Sequence, residues 1–197
     1  MPNKQTAYAL VLAGGKSKRM GKDKSRIIYH QKEQMYEVAD MLLSMGLNTS
    51  ISINKTQQKD LDPNYSYLID AYEDQGALGG ILTAMELHPN KPLMVVGCDY
   101  PMLQRWDLNH LMFEAQKQKQ SMAYQAPDSL LYLPTVAYYT IDMLQGFRQA
   151  LVSNQLKLQT ILGNAKVHKL KPLNSIRFVT ANTPEEEKQI RKEIDHE

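Results

Sequence analysis

The chain has 197 residues, 43% of them hydrophobic and 22% charged, with a formal net charge of +2. These values suit a folded α/β-sized domain with its own core, expected to span residues 1–197 as one unit, and exclude a surface basic enough throughout to hold nucleic acid. A single cysteine, Cys98, excludes an internal disulfide and a cysteine-based zinc site. With no apolar run near the roughly 18 residues of a membrane span and no signal-peptide core, the expectation is a cytoplasmic protein without membrane contact.

In chain order, residues 7–12 form an apolar run that predicts a buried first strand. Glycines and basic residues follow at once, from Gly14 to Lys24. Residues 33–45 have the spacing of an amphipathic helix ended by Gly46, 49–53 form a β-branched second strand, and 65–69 a third. A helix is predicted over 78–87, stopped before Pro89. The strongly apolar run 93–97 is a fourth strand that ends at Cys98 and Asp99. Helical spacing returns at 107–118. Beyond Gln120 the pattern loosens into strands at 121–125 and 130–139, helices at 141–151 and 156–162, and late strands at 165–170 and 176–179. A charged helix over 184–194 starts on Pro184, with Thr183 as its N-cap and acids in its first turn. Continuous apolar strands separated by helices imply a Rossmann-like α/β/α sandwich with a mostly parallel central sheet.

The loop after the first strand carries the strongest chemical signal. Gly14, Gly15 and Gly21 permit the backbone to bring several N–H groups onto phosphate oxygens. Lys16, Lys18, Arg19, Lys22 and Lys24 add mobile positive charge, with Asp23 the lone acid among them. Arg19 suits a bidentate grip on a terminal phosphate, and Lys24 a point charge nearer the reacting phosphorus. A charged turn or a nucleic-acid patch would need only the lysines; the glycines at a strand end favour a nucleoside triphosphate. Neither GxGxxG nor GxxxxGK[ST] is present, which disfavours a Rossmann dehydrogenase and a P-loop NTPase.

Ligands of open parallel sheets sit at the carboxyl ends of the strands. That rule predicts that the glycine-basic loop, Asn54, Asp70 and Asp99 meet in one crevice. Asp99, at the exit of a buried strand before Tyr100-Pro101, is a candidate magnesium ligand beside a triphosphate. Gly76, Gly79 and Gly80 open a helix and allow a base or ribose close to the backbone, where Asp70 and Asn54 are candidate hydrogen-bond partners. The five histidines have no metal-ligand spacing, and no Ser-His-Asp arrangement suggests itself. An anionic substrate phosphate as nucleophile needs neither, so positioning, charge neutralisation and a metal suffice.

Leu12-Ala13-Gly14-Gly15-x-Ser17-x-Arg19-Met20-Gly21-x-Asp23-Lys24 resembles the signature of molybdenum cofactor guanylyltransferases, within the wider nucleotidyltransferase group. Gly76-x-Leu78-x-Gly80, Cys98-Asp99-x-Pro101, Pro134-Thr135-Val136-Ala137 and Asn182-Thr183-Pro184-Glu185 resemble further motifs of that family, in the right order over nearly the whole chain. The sequence departs from the family pattern at Ala77, where proline is usual, at Leu133, where histidine is common, and at Thr180, where asparagine is usual.

The resemblance implies transfer of GMP from GTP to molybdopterin with release of pyrophosphate, in a magnesium-dependent reaction. It places nucleotide contacts on Leu12, Ala13, Gly14, Gly15, Lys24, Asn54, Asp70 and Asp99, the metal on Asp99, and catalytic roles on Arg19, Lys24 and Asp99. Thr180, Asn182 and Thr183 are the expected acceptor-binding residues, and cofactor-biosynthesis proteins the candidate partners. A cytidylyl- or sugar-phosphate nucleotidyltransferase, and a nucleotide-binding homologue without catalysis, are the alternatives.

Overall fold

The computed structural model describes residues 6–14 and 23–195. Seven strands form one sheet: β1 (Tyr8–Leu12), β2 (Asn48–Ile53), β3 (Tyr67–Ile69), β4 (Leu93–Gly97), β5 (Met122–Gln125), β6 (Tyr132–Tyr139) and β7 (His168–Leu170). Their order is β3-β2-β1-β4-β6-β5-β7. Strands β1 to β4 are parallel, β6 runs antiparallel to both β4 and β5, and β7 is parallel to β5.

Strand alternation divides the core into two apolar layers. Ala9, Val11, Met94, Val96, Met122, Tyr124, Val136 and Tyr138 face α1 (Gln34–Ser44) and α3 (Arg105–Gln118). Leu10, Leu93, Val95, Ala123, Ala137 and Tyr139 face α2 (Ala77–Leu87), α4 (Met143–Val152) and α5 (Leu158–Asn164). The result is the expected α/β/α sandwich with a mostly parallel sheet. No helix among the described residues is long and apolar enough to cross a membrane.

Two late predictions need correction. Residues 176–179 are not a strand: Ser175–Phe178 is a 3-10 helix whose N-cap, Asn174, accepts a hydrogen bond from the Ile176 N–H. Its apolar residues come from docking, since Phe178 is buried with its ring 4.3 Å from that of Tyr124. The strand expected over 165–170 is cut to three residues because its first half continues the end of α5, with the Ala165 and Lys166 N–H groups bonded back to Ile161 and Gly163. The third strand likewise starts only at Tyr67, and short 3-10 turns at Lys24–Arg26 and Lys55–Gln57 lacked any apolar period to reveal them.

The last helix, α6 (Pro184–Ile194), starts as its sequence demands. The Thr183 hydroxyl accepts the Glu186 N–H, and the Glu186 carboxylate accepts the backbone N–H groups of Thr183 and Asn182 in return.

Candidate active site

The carboxyl ends of β1, β2, β3 and β4 share one edge, held in step by hydrogen bonds just past the strands. The N–H of Ala13 donates to Ser52, that of Asp70 to Ile53, and that of Cys98 to Leu12. At this edge lie Leu12, Ala13, Gly14, Asn54, Asp70 and Asp99, as expected from the topology. Gly15, Arg19 and the other basic residues of 15–22 lie outside the described residues.

Gly14 packs closely against the ends of β2 and β3. A Cβ there would stand 3.3 Å from an Asp70 carboxylate oxygen and 3.6 Å from the Asn54 backbone nitrogen. Gly80, in the second turn of α2, is tighter still: an added Cβ would meet the Ser52 hydroxyl at 2.5 Å, Leu12 at 3.0 Å and Asp70 at 3.2 Å. The Ser52 hydroxyl donates to Asp70 at 2.5 Å. Burial raises the Asp70 pKa, and this hydrogen bond partly opposes the rise. Asn54 uses its carbonyl oxygen to accept from the backbone and hydroxyl of Thr56, capping the turn that follows β2. Gly76 enters α2 at φ 58° and ψ −146°, a conformation open to glycine and strained for any other residue.

Asp99 and Lys24 form the charged centre. Burial raises the Asp99 pKa; a hydrogen bond at its own backbone and the nearby Lys24 ammonium pull it down. The Lys24 ammonium also donates to Asn182 Oδ1 at 2.6 Å, and Asn182 Nδ2 donates to the Thr180 hydroxyl at 2.7 Å. The Ala181 N–H donates to the Asp99 carbonyl at 3.0 Å. Residues 180–182 therefore run beside Asp99 and touch Lys24, far apart as these are in sequence. Thr183 stands at the same place, with its hydroxyl engaged as the α6 cap. Cys98 is buried and free, its thiol pushed far above its ordinary pKa by burial and by the charges of Asp99 and Asp23. It is a packing residue and no nucleophile at neutral pH.

The neighbouring strand adds a wall. The pairing of β5 and β6 shifts between Ala123 and Tyr124, which leaves Pro134 and Thr135 out of the regular ladder and accommodates a residue with no N–H. Thr135 comes to lie 3.2 Å from where a Gly97 Cβ would stand, and its hydroxyl is 3.4 Å from that of Tyr100.

Gln57 carries a positioning role with no signal in the sequence. Its amide nitrogen donates to the Ala13 carbonyl at 3.0 Å and to Asp23 at 2.8 Å, while its amide oxygen accepts the Asn54 N–H. Asp23 in turn caps the Lys24 turn by accepting from the backbone and hydroxyl of Ser25. One uncharged side chain thus ties the end of β1, the end of β2 and the start of the Lys24 turn together. A glutamine in a polar loop looks like any solvated residue until the fold brings its partners in.

Asp99 is a carboxylate that could hold a divalent cation. Among the described residues no group of three or more His, Cys, Asp or Glu side chains is arranged as a metal cage. One partly desolvated carboxylate fits magnesium, which takes few protein ligands and completes its shell with phosphate oxygens and water.

The same architecture occurs in known proteins. Residues 9–171 match the family described as MobA-like NTP transferase domain. A molybdenum cofactor biosynthesis bifunctional protein of Synechocystis sp. is 29% identical over 184 residues, covering 93% of this chain; the chain spans only 53% of that protein's length. A molybdenum cofactor guanylyltransferase of Shewanella sediminis is 27% identical over 192 residues, covering 94% of this chain and 96% of its own. Among solved structures, the molybdopterin-guanine dinucleotide biosynthesis protein A of Archaeoglobus fulgidus shares the fold, with a TM-score of 0.77, 19% identity and coverage of 96% of this chain and 100% of that one. The family match spans most of the sheet and every strand end that forms the crevice, and the chain belongs to the MobA-like NTP transferase domain family.

Proposed function

We propose that the protein transfers GMP from GTP to molybdopterin, forming the guanine dinucleotide cofactor and pyrophosphate, with magnesium held at Asp99. The observation that carries this reading is the meeting of Lys24, Asp99 and Asn182 at the edge where Gly14 lies beside Asn54 and Asp70. The relatives named molybdenum cofactor guanylyltransferase support guanine over other bases and an acceptor of the molybdenum cofactor class.

The chain's own groups divide the task. The edge at Gly14 admits base and ribose, with Asp70 and the Asn54 amide as hydrogen-bond partners. Lys24 neutralises charge on the triphosphate, and Arg19 is assigned to its far end. An oxygen of the acceptor's phosphate bonds to the α-phosphorus of GTP, the bridging bond from that phosphorus to the β-phosphate oxygen breaks, and its electron pair leaves on pyrophosphate. A phosphate monoester is already anionic at neutral pH, so no side chain has to remove a proton. When bound, magnesium supplies further neutralisation of the phosphate charge. Residues 180–182 are assigned to the acceptor, because they reach Lys24 and Asp99 from the C-terminal half.

Pyrophosphate release measured with GTP, CTP and UTP, each with magnesium and molybdopterin, tests the proposal. Release with GTP alone is expected. A preference for CTP overturns the guanine assignment, and nucleotide binding without release across a set of acceptors overturns the transferase reading.

A further inference from the structure

Residues 172–195 lie beyond the stretch matched to the family, yet they close back on the part of the site that carries Lys24. After Ala181 and Asn182 have touched Asp99 and Lys24, α6 turns to pack Ile190 and Ile194, together with Ala181, against Ile27, Tyr29 and Met102. Ile27 ends the turn that begins at Lys24, and its N–H donates to the Lys24 carbonyl. The segment packed by α6 is therefore the direct continuation of the Lys24 backbone.

A polar contact pins this packing. Tyr29 is only 8% exposed, and the Arg191 guanidinium carbon lies 5.1 Å from the centre of its ring. Arg191 Nε and Nη2 both donate to one Glu187 oxygen, at 3.1 and 2.9 Å, and Glu187 is itself buried. The Arg191 side chain is itself 42% exposed, so its guanidinium sits at the rim of this packing, oriented by a buried carboxylate one turn earlier and set over a buried aromatic ring.

We propose that Arg191 is a positioning residue for Lys24: held by Glu187 and seated on Tyr29, it locks α6 against residues 27–29 and so keeps the Lys24 ammonium where a phosphate arrives. The inference rests on the reading of Lys24 as a phosphate ligand. Without the lock, the lysine's flexible stem must be ordered at each binding event, and the loss falls on the phosphate part of the ligand alone.

Calorimetric titration of the full chain with GTP plus magnesium, and separately with guanosine, tests this. Guanosine offers the base and ribose without phosphate. Arg191→Ala is expected to weaken GTP about five- to tenfold and leave guanosine unchanged. Arg191→Lys restores part of the loss, since an ammonium can also sit over the ring. Glu187→Gln, which keeps the packing but loosens the guanidinium, shows the same selective loss at smaller size. In a Lys24→Ala background, Arg191→Ala adds less than about twofold, because the two changes act through one group.

Equal loss of both ligands in Arg191→Ala, unchanged GTP affinity, or full additivity with Lys24→Ala each overturns the inference. If Lys24→Ala itself binds GTP normally, the phosphate reading falls and the inference with it. If only Arg191→Ala is silent, the inference falls and the proposed function stands.

Discussion

The two sides of the sheet bring their residues to the crevice by different means. On the β3-β2-β1-β4 side all strands are parallel, so strand direction alone delivers Gly14, Asn54, Asp70 and Asp99 to one edge. On the β6-β5-β7 side the neighbour of β4 is antiparallel. Thr135 therefore arrives from the first half of its strand, and residues 180–182 arrive on an irregular strap anchored by a 3-10 helix at one end and α6 at the other. Topology brings the strand ends together on the first side, where Gln57 then ties them, whereas contacts from the strap bring residues 180–182 in on the second. Damage should follow that division: changes to ligand-facing carboxylates on the parallel side should strike chemistry with little loss of stability, and strap changes should strike both.

The largest effect is expected at Asp99. If Asp99 holds the metal as proposed, Asp99→Ala should lower turnover by about two to three orders of magnitude. Its melting temperature should hold or rise, because burial already disfavours the charged carboxylate. Steady-state pyrophosphate release and a thermal melt measure the two together; a large loss of stability would break the contrast between the halves.

Arg177, on the strap, should show the opposite balance. Its guanidinium lies 3.4 Å from Asp107, whose side chain is only 1% exposed and also accepts the Gln104 N–H that opens α3. Arg177→Ala leaves that carboxylate without its cation and should cost about 2 kcal/mol in denaturant unfolding. Turnover should fall as well, since residues 180–182 lose one of their two anchors. Stability unchanged within error would show that the strap is held by apolar packing alone.

Gln57→Ala sharpens the comparison from within the parallel side. It removes three hydrogen bonds that tie β1, β2 and the Lys24 turn, and should cost about 1–2 kcal/mol. The accompanying rise in the Michaelis constant for nucleotide should exceed the change in kcat, because the residue aligns the strand ends and touches no reacting atom. An equal fall in kcat would assign it a closer role.

The smallest effect is a pH-dependent one. Burial raises the folded-state pKa of Asp70, so the folded protein holds this proton more tightly than the unfolded chain does. Stability contributed there is present at low pH and is lost as pH rises through the usual carboxylate range toward the raised value. Asp70→Asn should therefore raise the melting temperature slightly at neutral pH, leave it unchanged near pH 3, and weaken nucleotide binding. A stabilisation that persists at low pH would point to packing instead of charge.

What the amino-acid sequence determined by itself was whatever follows from local pattern and strand direction. Apolar runs flanked by helical periods gave the sandwich, and the carboxyl-end rule brought Gly14, Asn54, Asp70 and Asp99 to one edge. The Thr183 cap and the opening of α2 at Gly76 were legible because capping and positive φ are properties of a few consecutive residues. Only the tertiary structure decided that Asn182 bonds Lys24, that Gln57 joins three segments, and that Arg191 sits on Tyr29. It also turned the apolar run at 176–179 from an expected strand into a docked 3-10 helix. In each of these cases the deciding partner is distant in the chain. A polar or apolar side chain looks the same in sequence whether water or a remote residue will satisfy it, and the fold alone makes that choice.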